Sequence, residues 1–534
     1  MENAMDQPTC GETHDDWKSA PYHSSIMPAE LPAELQPKPE PLPNEMPAPM
    51  RNETKLGLGV LCVALLAGSL GDALWRAEPW GINTVIWTSG MATAVALLIR
   101  WQRLQVPRGL KWLAVPMLCF AAGSAWRDSE TLRFLDLTAL LTTLALASFY
   151  TRTGKLFLAG IIEYVHGIAY AGIFSMGGVL ALVFNDIRWR ELPRGGWSKQ
   201  AFAVGRGLAL AVPLLLVFGG LFMAADAAFE HLVQNTFKID VVWIFSHLML
   251  TGFLTWIIGG FLRSALLTSQ NVLPIDKRPV SLALGITEMS IVLGLINLLF
   301  FMFVMVQFRY FFGGAAHVAA SMGLTYAEYA RRGFFELVIV AALVLPLLLG
   351  AHWLLRKENP AHERIFRALA VLQLLLLGVI MLSAVQRMRL YQSEYGMTEQ
   401  RLYTTAFMGW LAVVFVWFAL TVLRGQRMRF AFGAVVAGFV MIGALHALNP
   451  DALIVRVNAE RASAGRGFDV NYATSLSADA VPALVAALPT LNEVDRRAVM
   501  DRLRRWPLSE PSEPGGWRAW NWSRAQARNA VRGK

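Results

Sequence analysis

A polar segment between two long apolar runs carries charged residues that could form a site. Glu328 and Arg332 are four residues apart, so both lie on one face if the segment is helical. Together with Arg331, this face could meet Arg309 and Tyr310, at the end of the preceding run, and hold an anionic group in a polar pocket. The same spacing is typical of a charge ladder that fixes a helix at the water boundary. We favour this structural interpretation.

A second polar connection follows a later apolar run and carries Arg389 and Glu394. We expect it on the same side of the membrane as the first, so the two connections could converge. Asp451 follows Asn449-Pro450 at the end of the last apolar run and could lie near them. This convergence is a hypothesis, because one sequence does not report spatial neighbours.

Glu288 lies near the start of a long apolar run. A charged residue at the centre of a transmembrane helix costs about 2.5 to 3.5 kcal/mol on insertion scales, so such a run tolerates one. A tolerated carboxylate normally faces the bundle interior or a wet cavity, which makes Glu288 a candidate site residue. The alternative is that Glu288 simply lies near the lipid headgroups.

No local motif assigns catalysis. The sequence contains no HExxH, no GxSxG, no Walker glycine loop and no dinucleotide-binding glycine fingerprint. The cysteines lie far apart, at positions 10, 62 and 119, and encode neither a disulfide framework nor a zinc site. The histidines of the apolar runs are single and are expected to be hydrogen-bonded packing residues: His166, His247, His352 and His446. We therefore name no catalytic residue, cofactor or metal, and we favour a protein that is not an enzyme.

The elements that must position these residues are strongly apolar. Of 534 residues, 55% are hydrophobic and 16% are charged, against roughly 25% charged in soluble domains. The apolar residues form runs of about 17 to 25, the length that crosses a bilayer as a helix. This composition excludes a soluble enzyme and indicates a multi-pass membrane protein with the lipid bilayer as its partner. The net charge of +10 is no sign of nucleic-acid binding, because the basic residues lie mostly at the ends of apolar runs.

About twelve apolar segments follow one another along the chain. Each is predicted to be a helix, because a segment in lipid has to satisfy its own backbone hydrogen bonds and no alternating barrel pattern occurs. The predicted fold class is all-α, a polytopic transmembrane helical bundle with roughly 11 to 13 spans. We place the segments at residues 56–75, 82–100, 111–126, 132–150, 156–184, 204–225, 241–264, 283–308, 333–355, 365–386, 404–424 and 430–448.

Arginine and lysine in short loops predict the orientation, because they concentrate on the cytoplasmic side. The basic loops span residues 100–111, 277–278, 356–367 and 424–429. With these loops inside, the amino terminus lies in the cytoplasm and the carboxyl end outside, in the cytoplasmic (inner) membrane of a bacterium.

The fifth segment, residues 156–184, conflicts with this scheme. Basic residues precede it and follow it, and both groups indicate the same side. A single crossing cannot satisfy both. We consider a re-entrant element, a surface helix or two short crossings.

Composition divides the chain into four regions. Residues 1–50 contain ten prolines and few large aliphatic residues, which predicts a disordered tail. Residues 51–203 hold the amino-terminal transmembrane segments, and residues 204–449 the transmembrane core. Residues 450–534 form a small polar region with amphipathic helices.

Two features of the carboxyl-terminal region predict local structure. Asn492 and Asp495 fit a capping box that opens an amphipathic helix. Trp517, Trp520 and Trp522 lie among arginines, a mixture that favours a membrane interface. The alternative is a helical cap packed on the bundle, because tryptophans also fill hydrophobic seams.

Several motifs after about residue 205 carry a resemblance to a known family. They are FGGLFMAAD at 218–226, QFRYFFGG at 307–314, TYAEYARRGFFEL at 325–337, YGMTEQRL at 395–402, and Asn449-Pro450-Asp451 with Asn458 downstream. With them the chain resembles a bacterial membrane-protein family known as the domain of unknown function numbered 4173, and its relative numbered 4153. The resemblance covers about three fifths of the chain and implies a helical bundle in a membrane. It implies no activity.

Three functions remain open. The first is a non-enzymatic sensing or scaffolding component whose tails bind a protein partner. The second is a transporter, since Pro213, Gly219-Gly220 and Gly259-Gly260 could break helices at a midplane site. The third is an enzyme of the outer leaflet that uses Glu328 or Glu394. We favour the first, because it asks least of residues that lack a motif.

Overall fold

The helices of the structure follow the apolar segments one for one. The computed structural model describes residues 50–154, 156–157, 160–192, 196–229, 241–267, 284–312, 334–356, 359–505 and 516–533. The helices that match the twelve segments are α1 Asn52–Trp75, α2 Ile82–Trp101, α3 Ala114–Trp126, α4 Glu130–Thr153, α5 Ile161–Ala181, α6 Gly196–Ala225, α7 Val241–Leu266, α8 Ile286–Phe312, α9 Phe334–Leu354, α10 Pro360–Tyr395, α11 Glu399–Thr421 and α12 Phe430–Leu448. The predicted all-α class is confirmed. The predicted tail and the basic loop at 277–278 lie outside the described residues.

Nine helices within the described part of the chain are long and apolar enough to cross a membrane. They are α1, α2, α4 and α7 to α12, with the last including the short turn before Phe430. Large apolar side chains such as Leu215, Leu343 and Leu382 remain more than 60% exposed in the isolated chain. In water this exposure would be unfavourable, whereas in lipid it is the expected outer face of a bundle. The protein is therefore a multi-pass membrane protein.

The helices of the bundle have their termini at two opposite ends. At one end, which we call the basic end, α1 begins and α2, α4 and α7 terminate. Contacts there include the Arg152 guanidinium donating to the Ser264 carbonyl, at 3.0 Å from Nε, and the Thr54 hydroxyl donating to Glu191 at 2.9 Å. Leu284 also pairs with the end of α9, since its amide donates to the Leu354 carbonyl at 2.9 Å.

The opposite end, which we call the cap end, is where α1 and α3 terminate and α4 begins. Arg76, just after α1, donates to the Ser246 hydroxyl near the start of α7 at 2.9 Å. Ser129, just before α4, lies 3.2 Å from the Tyr403 hydroxyl near the start of α11. Five helices, some of them widely separated in the sequence, thus begin or end here.

Helix α5 does not run from one end to the other. Its first half packs on the end of α4, where a Cβ on Gly167 would lie 2.6 Å from the Phe149 ring. The turn that follows it reaches the end of α7, where Asp186 pairs with Arg263 at 2.5 Å. Both termini therefore lie at the basic end, an arrangement that corresponds to a surface helix and accounts for the basic residues on both sides of the segment.

The chain after α12 folds into small helices with a core of their own. They are α13 Pro450–Ser463, α14 Val470–Ser475, α15 Val481–Ala487, α16 Glu493–Arg505 and α17 Trp522–Arg532. Ile454, Leu484 and Val499 are fully or almost fully buried in this core. Asn492 caps the start of α16 as predicted, since the Asp495 amide donates to Asn492 Oδ1 at 2.9 Å. The Asp495 carboxylate accepts from the Asn492 side-chain amide instead of its backbone N–H, so one of the two bonds of the predicted capping box is present. We call residues 450–533 the cap.

Candidate functional site

The cap begins at a sharp turn after the last transmembrane helix. Asn449 has a left-handed backbone with φ +53°, and its side chain accepts from the Ala452 amide at 3.2 Å. Pro450 occupies the first position of α13, where its missing N–H costs nothing. The predicted end of the last span at Asn449-Pro450 is where the helix ends. This turn directs the cap onto the cap end of the bundle.

Asp479 is the centre of a buried junction between the cap and the bundle. Its side chain is buried and accepts hydrogen bonds from the Asp128 amide at 2.6 Å and the Ser129 amide at 3.1 Å. These amides precede α4, and an anion at a helix start is favoured by the exposed N–H groups and the helix dipole. Arg127 pairs with the same carboxylate at 3.3 Å, and the Ser523 hydroxyl also donates to it.

Arg127 connects the junction to the last transmembrane helix. Its guanidinium donates twice to the His446 carbonyl, at 2.9 and 2.7 Å, and stacks 4.6 Å from the centre of the Trp126 ring. The His446 carbonyl belongs to the last turn of α12, where carbonyl groups lack intrahelical partners. The side chain thus satisfies a helix end and a buried carboxylate at once.

Helix α17 closes the junction from the other side. Arg524, 3% exposed, pairs with Asp128 at 2.6 Å. The Asn521 side chain donates to the carbonyls of Ser124 and Arg127 at 3.0 and 2.9 Å. The end of α3 is therefore capped by a residue almost four hundred positions away in the sequence.

Two junction carboxyl groups have perturbed acidity. Burial raises the pKa of Asp451 to about 6, although the Ser477 hydroxyl donates to this carboxyl at 2.5 Å and stabilises its charged form. Glu399 and Asp479 raise the same pKa further by repulsion. Burial also raises the pKa of Asp128, against the opposing effect of Arg524. The second oxygen of Asp451 is buried without a hydrogen-bond partner among the described residues.

Two histidines pair with aspartates inside transmembrane helices near the cap end. His446 Nε2 lies 3.1 Å from Asp136 of α4, and His247 pairs with Asp72 of α1. Gly123 permits the first contact, because a Cβ there would lie 2.6 Å from His446 Nε2. Both histidines are thus hydrogen-bonded packing residues. No group of three metal-binding side chains occurs among the described residues.

The structure separates the candidate residues that the sequence singled out. Glu288 is exposed in the first turn of α8, beside the basic end, and accepts from the Gly285 amide at 2.5 Å. Asp451 lies at the cap end. The backbone of Arg309 and Tyr310 belongs to the last turns of α8, whereas their side chains lie outside the described part, as do Glu328, Arg331 and Arg332.

The second polar connection does meet the cap. Glu394 pairs with Arg466 at 2.9 Å, with both side chains about half exposed. Arg461 donates to the carbonyls of Ser393 and Glu394 at 3.1 and 2.6 Å. Arg389 is exposed on α10. The contact of this connection with Arg461 and Arg466 is a surface pairing at the rim of the cap and is distinct from the buried junction around Asp479.

The residues that build the junction could not be identified from the sequence alone. Arg127 and Arg524 carried no local motif, and their importance depends on partners in distant segments. One local sequence signal does exist at the junction, since Ser477 precedes a short helix and the Asp479 amide donates to its hydroxyl at 3.3 Å. That signal predicts a cap for a short helix and says nothing about the bundle.

A family model described as a domain of unknown function, DUF4153, matches residues 114–487. The match begins upstream of the residue-205 start suggested by the motifs and includes α3 and α4 as well as the core. It contains Arg127 and Asp479 and ends before α17. No curated protein and no solved structure matches the chain.

Proposed function

The chain belongs to the family described as a domain of unknown function, DUF4153, and from this premise we propose that it is a non-enzymatic sensing or scaffolding component of the bacterial inner membrane. In this proposal the bundle is a rigid holder and the cap is the part presented to a protein partner. The basic end is cytoplasmic, and the cap lies outside. The junction around Asp479 is the observation that carries the proposal.

The junction supports a holding role because its charged side chains pair with one another. Asp479 receives donors from the turn before α4, from Arg127 and from α17. A catalytic carboxylate needs access to a substrate, whereas this one is 3% exposed. Buried pairs of this kind fix one arrangement of the parts that they join.

The exposed side of the cap offers a surface for a partner. Helix α16 buries Val499 and Leu503 and directs Arg497 and Arg504 outward, with their side chains 75% and 72% exposed. Val494 of the same helix is 77% exposed. An exposed apolar residue among arginines is compatible with a protein contact.

The transporter alternative receives less support. It expected unwound backbone at the glycine and proline positions, yet α6 continues through Pro213 and Gly219-Gly220, and α7 continues through Gly259-Gly260. The two glycines of α7 instead permit the close approach of α5. Gly259 and Gly260 therefore serve packing in this structure.

The test compares variants in a strain that lacks the gene. A chain without residues 1–50 and 451–534 should still insert into the membrane, at a lower steady-state level because the junction is lost, and should fail to restore the phenotype. Full restoration by that chain would contradict the proposal. A second variant reverses the charges of Arg497 and Arg504 and leaves the junction intact, so a loss of function with normal membrane levels identifies the outer side of the cap as the partner surface.

The enzyme alternative predicts a different result. Glu328→Gln should then abolish function at unchanged protein levels, whereas under our proposal the variant restores the phenotype. Glu394→Gln is the matched substitution on the second connection. Loss of protein in the Glu328 variant would instead favour the charge-ladder interpretation of its segment.

A further inference from the structure

A cavity of about 590 Å³ lies among α2, α3, α4 and α7. Its walls are almost entirely apolar and include Ile99, Met117, Leu144, Ala147 and Leu266. The volume is within the range of sites that hold lipid-sized or drug-sized molecules. The space is partly open at the outer surface of the bundle, so it is a groove between helices and not an internal packing void.

The basic-end side of this cavity is cationic. Arg108 and Lys111, from the connection between α2 and α3, are the charged residues that line it, and no lining residue is acidic. Both side chains are exposed and form no ion pair within the described part of the chain. The adjacent Gly109 lies against the Tyr150 hydroxyl near the end of α4, which fixes this connection to the basic end.

Apolar walls with two cations at one side favour one kind of ligand. An apolar chamber among membrane helices accepts an acyl chain, and two cations at one side of it attract a phosphate. Basic pockets between transmembrane helices are typical sites for anionic lipid headgroups. A zwitterionic lipid offers its phosphate together with a cation, which Arg108 and Lys111 would repel.

We propose that the cavity is a binding site for an anionic phospholipid, with an acyl chain between α2, α3, α4 and α7 and the phosphate on Arg108 and Lys111. The site lies at the end of the bundle opposite to the cap and is independent of the junction. The lipid stabilises the contact between α3 and its neighbours, because it fills space that these helices leave open.

The first test uses the whole wild-type chain. The protein is delipidated in a mild detergent and reconstituted in nanodiscs of palmitoyl-oleoyl phosphatidylcholine with or without palmitoyl-oleoyl phosphatidylglycerol. We expect phosphatidylglycerol to raise the midpoint of thermal unfolding and to remain bound in native mass spectrometry. Equal stabilisation by both lipids would overturn the proposal, and this measurement depends on no variant.

The second test uses matched double variants. We expect R108Q/K111Q to weaken phosphatidylglycerol retention by about tenfold or more, since each cation near a membrane surface contributes measurably to anionic-lipid binding. R100Q/R103Q removes the same charge from the last turn of α2 and the start of the connection to α3, at positions that do not line the cavity. This variant should retain the lipid as wild type does. If both variants lost phosphatidylglycerol retention equally, the effect would be a general attraction to the basic surface, and the proposed site would be contradicted.

The third test addresses the acyl chain. Ala147→Phe narrows the chamber and leaves both cations in place, so retention should fall although the basic side is intact. Oleate serves as the competitor with a single chain and a carboxylate. Displacement of phosphatidylglycerol by an equal concentration of oleate would overturn the assignment to a phospholipid.

Discussion

Asp479 is the residue on which the junction depends most, because it joins the turn before α4 to the cap. Removing one partner of a buried charge pair leaves the other charge unmatched, which typically costs about 3 to 5 kcal/mol. We therefore expect Asp479→Ala to lower the midpoint of thermal unfolding in detergent and to make residues 450–533 sensitive to trypsin.

The control for this variant is Glu394→Ala. Glu394 also pairs with an arginine of the cap, but the two side chains are 47% and 45% exposed. Exposed pairs contribute about 0 to 1 kcal/mol, so this variant should remain close to wild type. Similar destabilisation by both variants would contradict a junction that depends on buried charge.

Asp451 should make the attachment of the cap dependent on pH. Because burial raises the pKa of this carboxyl to about 6, the folded cap binds the proton more tightly than the unfolded chain does. Its stabilising contribution is complete below the unfolded pKa of about 4 and is lost as the pH rises through about 6. The raised pKa of Asp128 acts in the same direction.

The measurement is trypsin sensitivity of the cap between pH 4.5 and 7.5. Compared with Asp451→Asn, which cannot ionise and meets the same pH dependence of trypsin itself, wild type should become more sensitive as the pH rises. The difference between the variant and wild type should change most between about pH 4.5 and 6 and level off above pH 6. A constant difference across this range would contradict the titration of Asp451.

At the scale of residues, the sequence predicted single helix caps and missed the junction. Asn492 with Asp495 and Asn449 with Pro450 could be identified because their partners lie within four positions. Arg127 and its partner Asp479 are 352 positions apart. The energy of such a pair depends on how deeply the two segments bury it when they meet. A local sequence pattern carries no information about that burial.

At the scale of elements, the contact between α5 and α7 depends on glycine. A Cβ on Gly260 would lie 1.9 Å from the Ser175 carbonyl oxygen, and one on Gly178 would lie 2.7 Å from Gly260. Neither helix can accept a side chain there without moving apart. The surface position of α5 therefore requires small residues in both helices.

Gly260→Ala should destabilise the protein although alanine is the better helix former. Overpacking typically costs about 1 to 3 kcal/mol, against a gain of at most about 1 kcal/mol in helix propensity. Gly252→Ala is the control in the same helix, since a Cβ there meets nothing within 4 Å. We expect a lower thermal midpoint for Gly260→Ala and an unchanged or higher one for Gly252→Ala; the reverse order would contradict the close contact.

The elements themselves were largely predictable, because hydropathy reports the stretches that lipid can dissolve. The main difference in length concerns α10, which was expected at 365–386 and extends over Pro360–Tyr395. Its additional turns after residue 386 are polar and contact the cap through Ser393 and Glu394. Hydropathy measures the buried part of such a helix, while its total length depends on partners outside the membrane.

At the scale of the whole molecule, the arrangement predicts where each end is accessible. The route of α5 brings Phe157 and Arg188 to the same end of the bundle. In a chain with Cys10, Cys62 and Cys119 replaced by serine, Phe157→Cys and Arg188→Cys should both resist a membrane-impermeant thiol reagent in intact cells and react after lysis. Labelling of only one of them in intact cells would mean that α5 crosses the membrane.

A cysteine in the cap should give the opposite labelling result. Val494 is 77% exposed on α16, so Val494→Cys should react in intact cells if the cap lies outside. This orientation was predicted from basic loops, which the charge rule interprets well, whereas the long region after Pro450 is interpreted poorly by that rule. Protection of Val494→Cys in intact cells would mean that the whole bundle has the opposite orientation.

The separation of the junction partners along the chain has a consequence for biosynthesis. The side chain of Asn521 caps a helix whose end, Ser124, leaves the ribosome 397 residues earlier. At about 5 to 20 residues per second, translation of that interval takes roughly 20 to 80 s. During this time the hairpin of α3 and α4 resides in the membrane, and Arg127 lacks its final partners. Completion of this end is therefore a late assembly step. A nascent chain stalled before residue 479 exposes an incomplete hairpin to the proteases that remove unfinished membrane proteins.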